Sequence, residues 1–261
     1  MRAILMAAGI GSRLSAKPMK PKCLWELGGE PLIVKTVRML MQRGFEIHLV
    51  VGFKHQMIEE TLKDYPVTFH CNPFFRATNS IGSLWFAREF LLDDQDVVLG
   101  NADVLWEESL LDVMCAPDYP AVMLGDVKRA ESGDYFFRTD ENNMLLDYGK
   151  RLPPEQRSCE YVGLCRLKKE FVPGFRQRLE KMIDEEQYDL WWENVLYDYI
   201  DEDPVHVVDV SDMFWAEVDY IQDYDRIMEY VRTGDVQSKI DKRFAPHSDR
   251  SALRRSTSPP F

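Results

Sequence analysis

Apolar residues along this chain alternate between two periods. Arg2-Ala3-Ile4-Leu5-Met6 is a short, nearly continuous apolar run, the pattern of a buried strand, and it opens directly on Gly9-Ile10-Gly11. Leu32, Ile33, Val37, Leu40 and Met41 then recur at helical spacing over residues 32–43, with Gly44 placed to end the helix. Residues 47–52 read as a strand, 56–63 as a helix and 67–70 as another strand. This β-α-β-α-β order predicts parallel strands joined by right-handed crossovers.

Further along, a helix is predicted over 79–90, with Asn79 or Ser80 as its N-cap, and a strand over 96–101 leading to Asp103. Residues 121–126 continue the sheet. Residues 135–139 and 144–148 read as a hairpin across Asp140-Glu141-Asn142-Asn143, and 161–167 as a further strand. Helices near 171–185 and 191–201, a strand over 205–210 and a last helix over 220–231 follow. The middle of the chain thus breaks strict β/α alternation, which suits an inserted antiparallel subregion. The fold class expected is α/β: a Rossmann-like mixed, mostly parallel sheet flanked by helices, with a small antiparallel subregion covering the substrate. From about residue 234 the composition shifts to Ser, Arg, Lys and Pro with little apolar periodicity. The expected organisation is one domain over 1–233 and a weakly structured tail or linker over 234–261.

Composition narrows the function. The 261 residues carry a formal net charge of −12, which argues against a general nucleic-acid binder, because a phosphate backbone demands clustered Lys and Arg. Any nucleotide bound here should be a small one. No apolar run approaches the roughly twenty residues needed to span a bilayer, and the N-terminus lacks a basic-then-apolar leader, so no membrane insertion and a cytoplasmic location are expected. The five cysteines are scattered with no Cys-x-x-Cys pair and read as reduced thiols. The five histidines show no metal-ligand spacing.

The Gly9-Ile10-Gly11 turn carries the chemistry. Glycines after a strand let the backbone aim successive N–H groups at phosphate oxygens and let a ligand approach closely. Arg13 and Lys22 add side-chain charge to this cradle. The turn is not a P-loop, which needs Gly-Lys-Ser/Thr at its end. Nor is it a dinucleotide fingerprint, which needs a glycine where this chain has Leu14. In an open parallel sheet ligands bind beyond the carboxyl ends of strands, so Asp103 sits beside this turn if the two strands are near neighbours.

A longer pattern is more specific. Ala7-Ala8-Gly9-Ile10-Gly11-Ser12-Arg13-Leu14, then Pro21-Lys22 and Gly29-Glu30-Pro31-Leu32-Ile33, resembles the signature of the nucleotidyltransferases that join a nucleoside triphosphate to a phosphorylated small molecule. Asn101-Ala102-Asp103, Asp189-Leu190-Trp191-Trp192-Glu193-Asn194 and the segment from Glu217 to Tyr224 resemble, in order and approximate spacing, the bacterial CTP:phosphocholine cytidylyltransferase branch. The resemblance implies an in-line attack by an acceptor phosphate or phosphonate oxygen on the α-phosphorus of CTP, expelling pyrophosphate. That oxygen is already nucleophilic at neutral pH, so the site must position two anions and neutralise charge rather than supply a base.

In that scheme Ala8, Gly9, Gly11, Ser12 and Arg13 hold the triphosphate, and Lys22 bridges the α-phosphate and the incoming group. Asn79, Ser80 and Ser83 face the nucleotide, while Asp103 and Asp219 hold Mg²⁺, a hard cation that needs few protein ligands. Glu217 is left outside that metal set. Tyr135, Asp189, Trp191, Trp192 and Glu193 are the expected acceptor pocket, aromatic faces and carboxylates being suited to an ammonium group. Adjacent Trp191 and Trp192 cannot both point the same way on a helix, so one of them is expected in the core. Tyr135 stands where the resembled branch has a tryptophan, which leaves a phosphonate acceptor such as 2-aminoethylphosphonate open. A sugar-1-phosphate nucleotidyltransferase is a further alternative, which the Trp-rich acidic segment disfavours. An inert nucleotide-binding subunit is another, disfavoured because Arg13, Lys22, Asp103 and Asp219 are all present.

Overall fold

The computed structural model describes residues 1–11, 19–218 and 221–233. Its centre is β1 (Arg2–Ala7), buried at every position as the sequence pattern requires. On one side β1 pairs in parallel with β2 (Glu46–Val51), and β2 pairs in parallel with β3 (Val67–Cys71). On the other side β1 pairs in parallel with β4 (Val97–Asn101). Two helices, α1 (Leu32–Gln42) and α2 (His55–Thr61), make the crossovers. The predicted β-α-β-α-β unit is therefore present, with boundaries shifted by one or two residues.

Beyond β4 the sheet continues through β9 (Cys159–Leu167), β6 (Ala121–Asp126) and β10 (His206–Asp209), in the order β10-β6-β9-β4-β1-β2-β3. Strand β9 runs antiparallel to both its neighbours, and the other six strands of this path share one direction. The hairpin of β7 (Phe136–Thr139) and β8 (Leu145–Gly149) hangs from β9 through β7, forming the antiparallel subregion.

Burial on both faces explains the near-continuous apolar strands. Ala3, Leu5 and Ala7 face one cluster with Ile33, Val37 and Leu40 of α1. Ile4 and Met6 face the other, with Ile81 and Leu84 of α3 (Ser80–Phe86) and with Phe175 and Leu179 of α5 (Val172–Asp184).

Three elements escaped the periodicity argument. They are β5 (Val104–Trp106), α4 (Ser109–Cys115) and β11 (Trp215–Glu217), and β5 and β11 form a separate two-stranded antiparallel sheet. A third cluster, including Leu105, Phe214 and Ala216, packs this small sheet under Ile227 of α7 (Ile221–Thr233). Three-residue strands are too short to show a period. Two predicted helices are also shorter than expected. Helix α3 ends at Phe86, and only α6 (Asn194–Tyr197) is α-helical within 191–201. The expected tail over 234–261 lies outside the described residues. Among the described residues, no helix is long and apolar enough to cross a membrane.

On the α3 side of the sheet, away from the Gly-rich turn, His48 and His70 form a coupled pair. His48 Nδ1 lies 2.9 Å from His70 Nε2, and His48 Nε2 lies 2.9 Å from the Glu46 carboxylate. Neutral rings satisfy this chain, with His48 donating to Glu46 and His70 donating to His48. Burial lowers the basicity of both, and the neighbouring His48 helps push His70 down to about 4. Because the unfolded rings titrate near the usual value of about 6.5, the unfolded state takes up more protons between those two pH values. Stability conferred by the neutral pair is thus complete above about pH 6.5 and is lost as pH falls toward 4. Thermal melts from pH 8 to 4 should show a decline, on the order of 2 kcal/mol from His70, that His70→Gln largely removes.

Candidate active site

The strand order brings the predicted chemistry together. Met6 of β1 is the register partner of Asn101 of β4, and the Ala102 N–H donates to the Met6 carbonyl at 3.0 Å. Both strands therefore release their chains at the same edge, the Gly-rich turn from β1 and Asp103 from β4. Lys22 opens a short 3₁₀ turn, Lys22–Leu24, behind Pro21. Its ammonium lies 3.4 Å from the Asp103 carboxylate, with both side chains only partly exposed. A cleft of about 430 Å³ opens here, bounded by the turn, Lys22, Asp103, the start of α3 and the antiparallel subregion.

Gly11 is what lets Lys22 lie there. Its φ is +71°, in the left-handed region, and a Cβ at this position would sit 2.7 Å from Lys22 Cγ. Gly9 differs, because a Cβ there would meet nothing within 4 Å. Gly11→Ala is therefore expected to strain the turn by about 1–2 kcal/mol and to re-aim the lysine stem. Turnover should fall on the order of 10²-fold, the usual effect of misplacing a positioned group by about an ångström. Gly9→Ala should leave thermal stability unchanged, so paired melts and rate measurements on the two variants check the assignment.

The wall beyond the turn is set by Asn72. This residue is fully buried, accepts from the Phe74 N–H at 2.8 Å, and donates to Thr78 Oγ1 and Ser83 Oγ at 3.1 and 3.0 Å. The loop so fixed delivers Asn79 to the start of α3, where its Oδ1 accepts from the Ser80 N–H at 2.8 Å. Asn79 is the N-cap of α3 and a cleft residue at once. Ser80 Oγ accepts from the Trp192 backbone N–H at 2.9 Å, joining this wall to the segment before α6.

The opposite end is aromatic and acidic. Tyr135, Tyr161, Trp191 and Tyr197 line it with Glu160 and Glu193. Tyr161 gets there through a bulge in β9. Met123 pairs with Cys165 but Gly125 pairs with Tyr161, and Gly163 between them takes φ +90°. Glu160 is held by the Arg129 guanidinium and by the Asp134 N–H at 2.8 Å. Lys150, from the end of the hairpin, is ion-paired with Asp134 and lies 5.9 Å from the Trp191 ring centroid. Glu193 is nearly completely buried. Burial, helped by the negative charge of Asp103, pushes its carboxyl up to about 8 against the opposing effect of Tyr161 and Asn101.

Residues 3–131 match the MobA-like NTP transferase domain. That segment carries a nucleotidyltransferase domain. The chain is 29% identical to CMP-5'-(3-aminopropyl)phosphonate synthase of Streptomyces rubellomurinus over 98% of this chain, a match that spans only 41% of that relative's length. It is 23% identical to the choline-phosphate cytidylyltransferase of Streptococcus pneumoniae, over 89% of this chain and 99% of that one. The solved CTP:phosphocholine cytidylyltransferase from Streptococcus pneumoniae shares the fold, with a TM-score of 0.69 at 21% identity, covering 88% of this chain and 98% of that one.

Within this nucleotidyltransferase fold the sequence-predicted residues separate clearly. Ala8, Gly9, Gly11, Lys22, Asn79, Ser80, Ser83, Asp103, Tyr135, Trp191 and Glu193 all line one cleft. Two expectations are corrected. Trp192 is fully buried in the core, its indole N–H donating to Asn101 Oδ1 at 3.2 Å, so it supports the cleft from behind and does not line it. Asp189 is exposed and lies outside the cleft, where its backbone carbonyl accepts from Asn79 Nδ2 at 3.2 Å. Of the adjacent tryptophans, Trp191 faces the cleft and Trp192 the core. Ser12, Arg13 and Asp219 lie outside the described residues. Val218, the neighbour of Asp219, donates its N–H to the Asp103 carbonyl at 2.9 Å.

Sequence reasoning missed Asn101, Asp134, Lys150, Glu160, Tyr161, Tyr197 and Glu217 as cleft residues. Asn101 had a signal, its place in Asn-Ala-Asp at the end of a strand. Asp134 and Lys150 had none, because they meet only across the folded hairpin. Glu217 and Asp103 line the same cleft and offer oxygen donors suited to a hard cation. No group of three or more metal-ligating side chains gathers among the described residues.

Proposed function

We propose that this nucleotidyltransferase is a Mg²⁺-dependent cytidylyltransferase that joins CTP to a small phosphate or phosphonate bearing a cationic head. An anionic acceptor oxygen forms a new bond to the α-phosphorus as the bond to the pyrophosphate oxygen breaks, and pyrophosphate leaves. The observation that carries this reading is the Lys22–Asp103 pair, 3.4 Å apart, in a cleft with a phosphate-type turn at one end and aromatic and carboxyl groups at the other. The relatives, a CMP-phosphonate synthase and a choline-phosphate cytidylyltransferase, support the same class.

The roles follow from charge. Gly9 and Gly11 present backbone to the triphosphate, with Ser12 and Arg13 assigned beside them from the motif. Lys22 stands where acceptor and α-phosphate must meet, and it lowers the repulsion between the two anions. Asp103, with Asp219 from the motif and Glu217 nearby, would hold Mg²⁺. When bound, the ion neutralises charge on phosphate oxygens. Trp191, Tyr135 and Glu193 receive the cationic head, which fixes the acceptor in line with the α-phosphorus.

Pyrophosphate release measured with Mg²⁺ tests this, each nucleoside triphosphate being paired with phosphocholine, 2-aminoethylphosphonate and a panel of sugar 1-phosphates. Turnover confined to CTP with an amino-alcohol phosphate or an aminophosphonate is the expected result. Turnover with a sugar phosphate, or binding of CTP without turnover, would overturn it in favour of a sugar-1-phosphate enzyme or an inert nucleotide-binding subunit.

A further inference from the structure

The acceptor end of the cleft contains more hydrogen-bonding groups than a trimethylammonium head can use. The hydroxyls of Tyr161 and Tyr197 are both buried without a hydrogen-bond partner of ordinary geometry, and Tyr197 as a whole is only 2% exposed. Both residues line the cleft, as does the buried carboxyl of Glu193. A buried phenol oxygen left unpaired is unfavourable, and a ligand that donates N–H bonds would complete these groups.

Ring geometry points the same way. A quaternary nitrogen sandwiched between two aromatic faces lies within about 6 Å of each ring centroid. Here the rings contact one another instead. Tyr135 meets Trp191 edge to face with centroids 5.2 Å apart, and Tyr197 lies stacked 6.1 Å from Tyr135. The facing pair, Tyr135 and Tyr197 at 6.1 Å, is too close to sandwich a quaternary nitrogen between its faces. The Trp191 ring already has an ammonium nearby, that of Lys150, itself held by a carboxylate, Asp134.

We propose that the acceptor carries an N–H-bearing ammonium, primary in its best form, which donates to Glu193 and to the Tyr161 and Tyr197 hydroxyls, and that a quaternary head is discriminated against. This rests on the cytidylyl-transfer reading and narrows it. The Glu193 carboxyl, buried in the same pocket, is the counter-charge that an arriving ammonium would meet. Asn101, Asp103, Tyr135, Tyr161 and Tyr197 lie near enough to interact with that carboxyl. Tyr135, Tyr197 and Asp103 are present whichever head binds, so discrimination comes from the donors on the ligand.

The test compares phosphoethanolamine with its N-methyl, N,N-dimethyl and N,N,N-trimethyl forms, using CTP and Mg²⁺ with the full chain. The expected result is a stepwise fall in kcat/KM along the series, about tenfold or more between its ends, the scale set by leaving buried polar groups unpaired. Tyr161→Phe and Tyr197→Phe should each raise KM for the primary head severalfold and narrow the ratio of kcat/KM between the primary and quaternary heads. Equal or better use of phosphocholine overturns the inference, as does a series to which both variants are indifferent. Calorimetric binding of the same four compounds separates this from failure of the reaction itself. Tenfold tighter binding of the primary head without turnover keeps the ammonium assignment and removes the cytidylyl-transfer reading. Binding of none of them removes the assignment.

Discussion

Lys22→Met is expected to lower turnover by about 10²–10³-fold, the range found when one preorganised charge-stabilising donor is removed from a phosphoryl- or acyl-transfer site. The side chain is 14% exposed and its ammonium is 3.4 Å from Asp103 at the meeting point of the β1 and β4 exits. Two anions must approach there, and the positive charge is worth most at the moment of closest approach. The loss should therefore fall mainly on kcat. Stability should change by about 1 kcal/mol or less, because Asp103 remains partly solvated and the pair is not deeply buried. Single-turnover kinetics with saturating nucleotide, alongside thermal melts, separates the two effects. Turnover within a few-fold of wild type would remove Lys22 from the reacting centre. Lys22→Arg is not expected to restore the rate, because a planar guanidinium does not reproduce a compact ammonium over Gly11.

Trp192→Ala should be the most damaging of the substitutions considered for stability, at about 3–5 kcal/mol, the cost of emptying a large, fully buried aromatic site. The ring has no exposure and packs in the cluster that includes Ile81, Leu84, Val195 and Leu196. Chemical denaturation would measure the loss. Trp192→Phe isolates the second role of this residue. It keeps most of the packing but deletes the indole N–H that donates to Asn101 Oδ1 at 3.2 Å, with an expected cost of about 1 kcal/mol. If Trp192 instead touched the acceptor directly, Trp192→Phe would raise the acceptor KM with no change in denaturation midpoint.

The case of Trp192 shows where sequence reading stops. The Asp-Leu-Trp-Trp-Glu segment announces a functional region, and adjacency alone says that two neighbouring rings diverge. Which of them enters the cleft depends on the backbone path before α6, pinned by the bond from Trp192 N to Ser80 Oγ across 112 residues. The place of Asp189 is hidden from local pattern for the same reason. A charged residue beside two tryptophans reads as part of their pocket, yet the turn presents its carbonyl to Asn79 and leaves its side chain at the exposed surface.

By itself the sequence determined what rests on local pattern. The apolar run at β1, the helical spacing of α1 and the glycines of the turn specify a strand feeding a phosphate-type loop, because strand burial, helix periodicity and left-handed backbone are properties of a few consecutive residues. The antiparallel hairpin was also visible from its two short apolar runs. Only the tertiary structure decided the rest. Asp103 reaches Lys22 because β1 and β4 are neighbours, Tyr161 reaches the cleft because β9 bulges at Gly163, and Lys150 meets Asp134 because the hairpin folds back. Those relations join residues far apart along the chain, and their free energy comes from burying two faces of one sheet, which no local pattern encodes.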